Sequence, residues 1–240
     1  MDADPAFADP LPEACADACF DRSTAAPAFV WLASQSPRRA QLLDQLGVAH
    51  RLLLAAPHED AEALEAERPG ELPLAYVQRV TLAKLQAAGR RRVERGATGA
   101  PILCADTTVA LGRSIFGKPR DDADAKRMLR ALSGRTHRVL TTVAVQHVQH
   151  AQPLTATSVS TVRFAVLSDA TIARYIAGGE PRGKAGAYAV QGAIAACIER
   201  IAGSYSGIMG LPLFETARLL HQAGVATSLQ PALQPALPPN

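Results

Sequence analysis

What this chain lacks narrows its possibilities before any motif is read. No apolar run approaches the roughly 18 to 20 residues needed to cross a bilayer, so no membrane partner is expected. The first 28 residues are acidic and rich in Ala and Pro, without the basic start and apolar core of a signal peptide, and the expected location is the cytoplasm. Cysteine is scarce: of four, Cys15 and Cys19 lie in that leader and Cys104 and Cys197 in apolar stretches. With no CxxC pair and no His at ligand spacing, the thiols read as reduced and structural. Charge of one sign is lacking too, since 25 basic residues against 22 acidic leave only +3. That is too weak for a general nucleic-acid surface; no nucleic-acid partner is expected, and any anion should be bound locally.

What is present reads as an ordinary globular chain, 48% hydrophobic and 20% charged over 240 residues. A leader over 1–28 and a Pro-rich tail over 227–240 are expected to be disordered, leaving one domain over 29–226. Periodicity predicts helices over 37–46, 74–93, 121–134, 169–177 and 212–223, with Tyr76, Val80, Leu82 and Leu85 on the inner face of the second. Strands are expected near 29–33, 50–56, 101–111, 136–148 and 156–167, the last two pairing around "QHAQPL". This mixture predicts an α/β fold with a mixed sheet and flanking helices.

Five stretches carry chemistry. In "LASQSPRRAQLLDQLG", Ser36 suits an N-cap and Pro37 a first helical position, so Arg38 and Arg39 fall in the first turn, where the helix dipole disfavours cations. An anion binding there would resolve the conflict, and removing either arginine should not cost the ligand-free protein stability. "GRSIFGKP" satisfies G-x-x-x-x-G-K, but Pro119 supplies no metal-binding hydroxyl and breaks the helix a P-loop needs; what survives is Lys118 at a chain reversal. Asp106 follows the apolar "PILCA" inside a strand, where a carboxylate needs an ion pair, a metal or an open strand end. Pro57 to Glu71 holds six acidic residues, and spacing alone does not choose among Glu59, Asp60 and Glu62 as metal-side groups. "GEPRGKAGAYAVQG" offers glycines for close backbone approach, the charge of Lys184, and in Gln191 both a donor and an acceptor for a base edge. Cationic groups plus a carboxylate fit a metal-assisted site acting on a polyphosphate.

Three long segments, "LASQSPRRAQLLDQLG", "ADTTVALGRSIFGKPRDDADAKRMLRALSGRTHRVLTTVAV" and "GEPRGKAGAYAVQGAIAACIERIAGSYSGIMGLPLFET", closely resemble the Maf family of nucleoside triphosphate pyrophosphatases. The resemblance implies a mixed sheet with two lobes around a central cleft, a divalent metal (Mg²⁺ or Mn²⁺), and hydrolysis of a nucleoside triphosphate to the monophosphate and pyrophosphate. It makes Asp106 the proton acceptor and a metal ligand. Ser34, Ser36, Arg38 and Arg39 become the phosphate-binding turn, with Lys84 on the long helix and Lys118 in "KPRD". Arg38, Thr107 and Gln191 fall at specificity positions of the subgroup preferring dTTP and UTP, which "KAGAYAVQG" resembles; Lys184 joins the substrate contacts. Two departures stand out: His58-Glu59 where the family often has Asp-Glu, and Gly183 before Lys184 where it often has Asp. Glu59 is the aligned metal-side carboxylate. A homodimer is a further expectation, and a nucleotide-binding regulator of cell division with little turnover is the alternative.

Overall fold

Short parallel strands at one edge and long antiparallel ones in the middle form a single sheet. The protein, seen in a computed structural model, is described over residues 28–56, 59–60, 63–147 and 151–229. The expected disorder of the leader and tail falls almost wholly outside the described residues, as do Cys15, Cys19, His58 and Glu62. In chain order the elements are β1 (Val30–Leu32), α1 (Pro37–Gln45), β2 (His50–Leu52), α2 (Pro73–Glu94), β3 (Ile102–Leu111), β4 (Ser114–Phe116), α3 (Asp122–Leu132), β5 (Thr136–Gln146), β6 (Leu154–Phe164), α4 (Asp169–Ala177), β7 (Ile198–Ala202), α5 (Tyr205–Met209) and α6 (Leu213–Gln222). The sheet runs β2-β1-β3-β5-β6-β7, with β4 pairing to β3. β1 is parallel to β2 and β3; every other pair is antiparallel.

Alternation along the long strands builds two cores on one face. Val109, Val139, Val162 and Phe164 pack under α3 and α4. Leu103, Ala105, Val143 and Val145 pack with α1 and α6. Between them, in cross-strand register, lies a row of hydroxyls, Thr107, Thr141 and Ser158. The opposite face is covered by α2, whose Leu85 and Ala88 meet Ile102 and Cys104, and whose Val77 and Val80 meet Ala110 and Leu140. These cores form the two lobes, and a cleft of about 1100 Å³ runs between them.

Several boundaries move from the sequence reading. The second strand ends at Leu52, because beyond it the chain leaves the sheet's edge. α2 begins at Pro73 and buries Val77, Thr81 and Ala88 besides Tyr76, Val80 and Leu85, while Leu82 is only partly buried. The Gly-rich stretch after α4, to which periodicity assigned no element, contains β7 and α5. The hairpin of β5 and β6 and helix 169–177 are as expected, and the helix expected over 121–134 is capped by Asp121, which accepts from Asp124 N–H.

Candidate active site

The cleft exists because, among the described residues, β3 lacks a neighbour along part of one edge. β1 pairs with β3 only as far as Leu103, and β4 joins it only from Val109. Between those points Ala105 and Thr107 share the backbone orientation of Leu103, whose carbonyl accepts from Ala33, so by strand alternation their main-chain groups face the notch. Asp106 and Thr107 point to opposite faces of the sheet, and the notch lets both line the same cleft.

On the α2 face, Asp106 is buried, with 8% exposure. Its Oδ1 accepts from Lys84 Nζ at 2.6 Å, and the same ammonium donates to Glu65 Oε1 at 2.7 Å. Asp106 Oδ2 has no hydrogen-bond partner among the described residues and is open to a water molecule. Lys118 Nζ donates to both oxygens of Glu65 at 2.9 Å. It reaches this level because β4 folds back along β3: the reversal itself lies at Gly112, six residues before the lysine. Burial works against the Lys84 charge, but Asp106 and Glu65 outweigh it and hold its pKa above the ordinary value. Burial likewise opposes the Glu65 carboxylate, and the two lysines outweigh it in turn, leaving its pKa lowered.

On the other face stands the cationic wall. Ser36 occupies the N-cap position of α1, yet its side chain makes no capping bond and no acidic residue lies in the first turn. Ser34 Oγ accepts instead, from Ser36 N–H at 3.2 Å and Arg39 Nη1 at 3.0 Å. Arg39 Nε donates to Gly210 O at 2.9 Å and Arg38 Nε to Met209 O at 3.4 Å, so both guanidinium groups meet carbonyls at the end of α5. Those carbonyls offset part of the unfavourable dipole, as cations at a helix C-terminus do. The arginines therefore tie α1 to α5, and Arg39 has a structural share that sequence reasoning did not give it. Burial lowers the pKa of both; in Arg39 the nearby Asp106 counters it. Lys184 Nζ donates to the Glu180 main-chain carbonyl. Its pKa is lowered first by burial and then by Arg38, which places two cations on one wall.

Thr107 Oγ1 lies 3.0 Å from Thr141 Oγ1, whose hydrogen is donated to Gly207 O at 2.7 Å. Thr107 must then donate to Thr141, and it presents lone pairs to the cleft. Gln191 is exposed at the cleft wall with an amide that makes no hydrogen bond among the described residues. The "KAGAY" segment is pressed close to β3: a Cβ on Gly186 would lie 2.8 Å from Val109, so only glycine fits there. The next residue, Ala187, is held at φ 61, a left-handed conformation that costs a non-glycine residue about 1 kcal/mol.

All of Ser34, Ser36, Arg38, Arg39, Lys84, Asp106, Thr107, Lys118, Lys184 and Gln191 line one cleft, and Glu59 is at its margin. Glu59 forks onto Arg91, with Oε2 2.6 Å from Nη2, and accepts from Ala56 N–H at 2.9 Å. Glu65 is the carboxylate brought to the lysines beside Asp106. It escaped sequence reasoning because it is one of six acidic residues in a segment without periodicity. In the structure it is tethered to the start of α2, where Tyr76 donates to the Glu65 carbonyl at 2.8 Å, a contact that no pattern in the sequence announces.

A family model described as Maf-like protein matches residues 30–223. The chain is similar to the dTTP/UTP pyrophosphatase of Polaromonas sp. (strain JS666 / ATCC BAA-500), 63% identical over 82% of this chain and 96% of that protein. It is equally similar to the dTTP/UTP pyrophosphatase of Ralstonia nicotianae, 63% identical over 84% of this chain and 98% of that protein. A third, from Albidiferax ferrireducens, bears the same name and is 60% identical over 82% of this chain and 97% of its own. With the model match covering both lobes and every cleft residue described above, the chain belongs to the Maf family.

Proposed function

We propose that this chain hydrolyses dTTP and UTP to the monophosphate and pyrophosphate. The observation that carries the reading is the division of the cleft: a carboxylate with one oxygen held by Lys84 and the other open, facing a wall of Arg38, Arg39 and Lys184. Simple anion binding gains nothing from a carboxylate. The names of relatives about 60% identical, dTTP/UTP pyrophosphatase, support the same activity. A free nucleotide as substrate requires neither nucleic acid nor a membrane; among the described residues no helix is long and apolar enough to cross one. Cytoplasmic residence and a homodimeric assembly complete the reading.

Asp106 Oδ2 takes the proton of the attacking water, while Lys84 keeps Oδ1 in place. Arg38, Arg39, Ser34 and the uncapped first turn of α1 hold the triphosphate; the guanidinium groups exchange carbonyl partners for charge-assisted bonds to phosphate. Lys118 lies where it can meet charge developing on the leaving pyrophosphate. The donor set fits a divalent metal: Lys84 Nζ gathers Asp106 and Glu65 side by side, and each carboxylate is an oxygen donor of the kind such a cation takes. Mg²⁺ is commonly bound by one or two carboxylates together with substrate phosphates. Asp106 and Glu65 would hold it, with Glu59 fixing the loop through Arg91. When bound, the metal supplies charge neutralisation at the phosphates and lowers the pKa of bound water.

Base selection follows from the lone pairs of Thr107 and the free amide of Gln191. Thymine and uracil present two carbonyl acceptors and an N3–H donor, which an amide matches from both its ends. A pyrophosphate-release assay with Mn²⁺ on dTTP, UTP, GTP and ATP tests the function: dTTP and UTP should lead, and no release from any of them refutes it. Gln191→Glu should lower the pyrimidine rates and erode the UTP:GTP ratio of kcat/KM.

A further inference from the structure

We propose that Glu180 is a positioning residue for base selection: it clamps the turn over 189–193 and so sets where Gln191 presents its amide. The inference rests on Gln191 reading the base. Glu180 follows α4 and does not itself line the cleft. Its Oε1 accepts from the Tyr175 hydroxyl at 2.8 Å, and its Oε2 accepts from Ala193 N–H at 3.0 Å. The Tyr175 oxygen in turn accepts from Ala189 N–H at 3.4 Å. Both flanks of residues 190–192 are thereby tied to the end of α4. Burial first, and the Glu180 carboxylate next, push the Tyr175 phenol up, so it remains a donor throughout the working pH range.

A steric observation points independently to the same contact. A Cβ built on Gly192 would lie 1.7 Å from Glu180 Oε1, so the carboxylate occupies the space where residue 192 would carry a side chain. Gly192 adjoins Gln191, and the clamp therefore acts one peptide unit from the selecting amide. The main-chain carbonyl of Glu180 also accepts from Lys184 Nζ, the cation beside Arg38. One residue thus joins the base side of the cleft to its phosphate side. A Gln191 amide displaced by even about 1 Å would lose its pairing with the base, which is how selectivity is lost without any change in the reacting groups.

The test compares Glu180→Ala, Glu180→Gln, Gly192→Ala and Gln191→Glu in the full chain, with kcat and KM for dTTP, UTP, GTP and ATP and a thermal melt of each. Glu180→Ala should lower kcat/KM for UTP and dTTP about tenfold, chiefly through KM, while GTP and ATP stay within about twofold. Glu180→Gln, whose amide oxygen still accepts from Ala193 N–H, should recover most of that loss. Gly192→Ala evicts the carboxylate without altering it and should reproduce the change in UTP:GTP ratio, which decides the matter if Glu180→Ala folds poorly. An unchanged ratio in both Glu180→Ala and Gly192→Ala, or an equal loss on all four nucleotides, overturns the proposal. If Gln191→Glu shifts the ratio in that case, the base reading stands and the clamp alone falls. If Gln191→Glu also leaves it unchanged, the base reading falls with it.

Discussion

Lys84 Nζ stands 2.6 Å from Asp106 Oδ1, joining the long helix behind the sheet to the middle of β3. The ion pair orients the carboxylate and leaves its second oxygen open to the cleft. If Asp106 is the proton acceptor proposed above, Asp106→Asn keeps the shape but removes that function. Turnover should fall on the order of 10²-fold or more, with nucleotide affinity largely kept. Steady-state kinetics beside equilibrium binding of UTP checks this; turnover within a factor of two of the parent takes Asp106 out of the reaction.

Glu65 and Glu59 make opposite predictions. Glu65→Gln leaves Lys84 and Lys118 without their shared counter-charge and removes one carboxylate of the proposed metal site, so half-maximal activity should require about tenfold more Mn²⁺. Glu59→Gln should leave that Mn²⁺ requirement unchanged and lower the melting temperature, because Glu59 forks onto the buried Arg91. Titrating activity against Mn²⁺ in both variants separates the two; the reverse pattern would assign the metal-side role to Glu59.

The paired arginines should also part company. Arg39 makes bonds of 2.9 and 3.0 Å to Gly210 O and Ser34 Oγ, whereas Arg38 has one at 3.4 Å. Arg39→Ala should destabilise the ligand-free protein by about 1–2 kcal/mol, a drop of roughly 2–8 °C. Arg38→Ala should melt within about 2 °C of the parent, since the lost bond is long and a cation leaves a helix N-terminus. Both should weaken UTP binding. Calorimetry without nucleotide checks the asymmetry, and equal melting temperatures would contradict it.

Acid should act through His137. It is buried with Nε2 2.8 Å from the Tyr188 hydroxyl, and burial pushes its pKa down from 6.5 to about 4. The unfolded chain therefore takes up the proton more readily than the fold does. The neutral imidazole's contribution is complete above pH 6.5 and is lost as pH falls toward 4. That is on the order of 3 kcal/mol. In His137→Phe this part of the acid sensitivity should disappear; denaturant unfolding from pH 7.5 to 4 measures it, and parallel curves for parent and variant would remove His137 as the cause.

Legibility in the sequence followed the range of the interactions involved. The β5–β6 hairpin, helix 169–177 and the Asp121 cap are local, and their signals lie within a few residues. The notch in β3 is not local: it depends on where β1, whose Leu32 pairs with Leu103 from 71 residues upstream, stops pairing and where β4 begins. The motifs identified the cleft residues one at a time, without the partners that tension them. Met209 and Gly210 meet Arg38 and Arg39 across 171 positions, and their contribution is only main-chain carbonyl oxygen, which no side-chain pattern announces. Glu65 and Glu180 were hidden for another reason. Carboxylates in turns are common, and only the groups they touch distinguish these two from solvated ones.

The hydroxyl row Thr107, Thr141 and Ser158 marks where one lobe ends and the other begins, yet β3, β5 and β6 pass through it unbroken. An enzyme whose halves are joined by a loop can swing them as rigid bodies, because a few torsions absorb the rotation. Here three continuous strands, joined by two ladders, would have to shear or coil together, and each hydrogen bond along them resists. Opening and closing must then be a shallow elastic breathing of the sheet, with larger excursions confined to the segments that rim the cleft. Recognition consequently depends on a recess already shaped before the nucleotide arrives, and an inhibitor rigid enough to match it surrenders little entropy on entering.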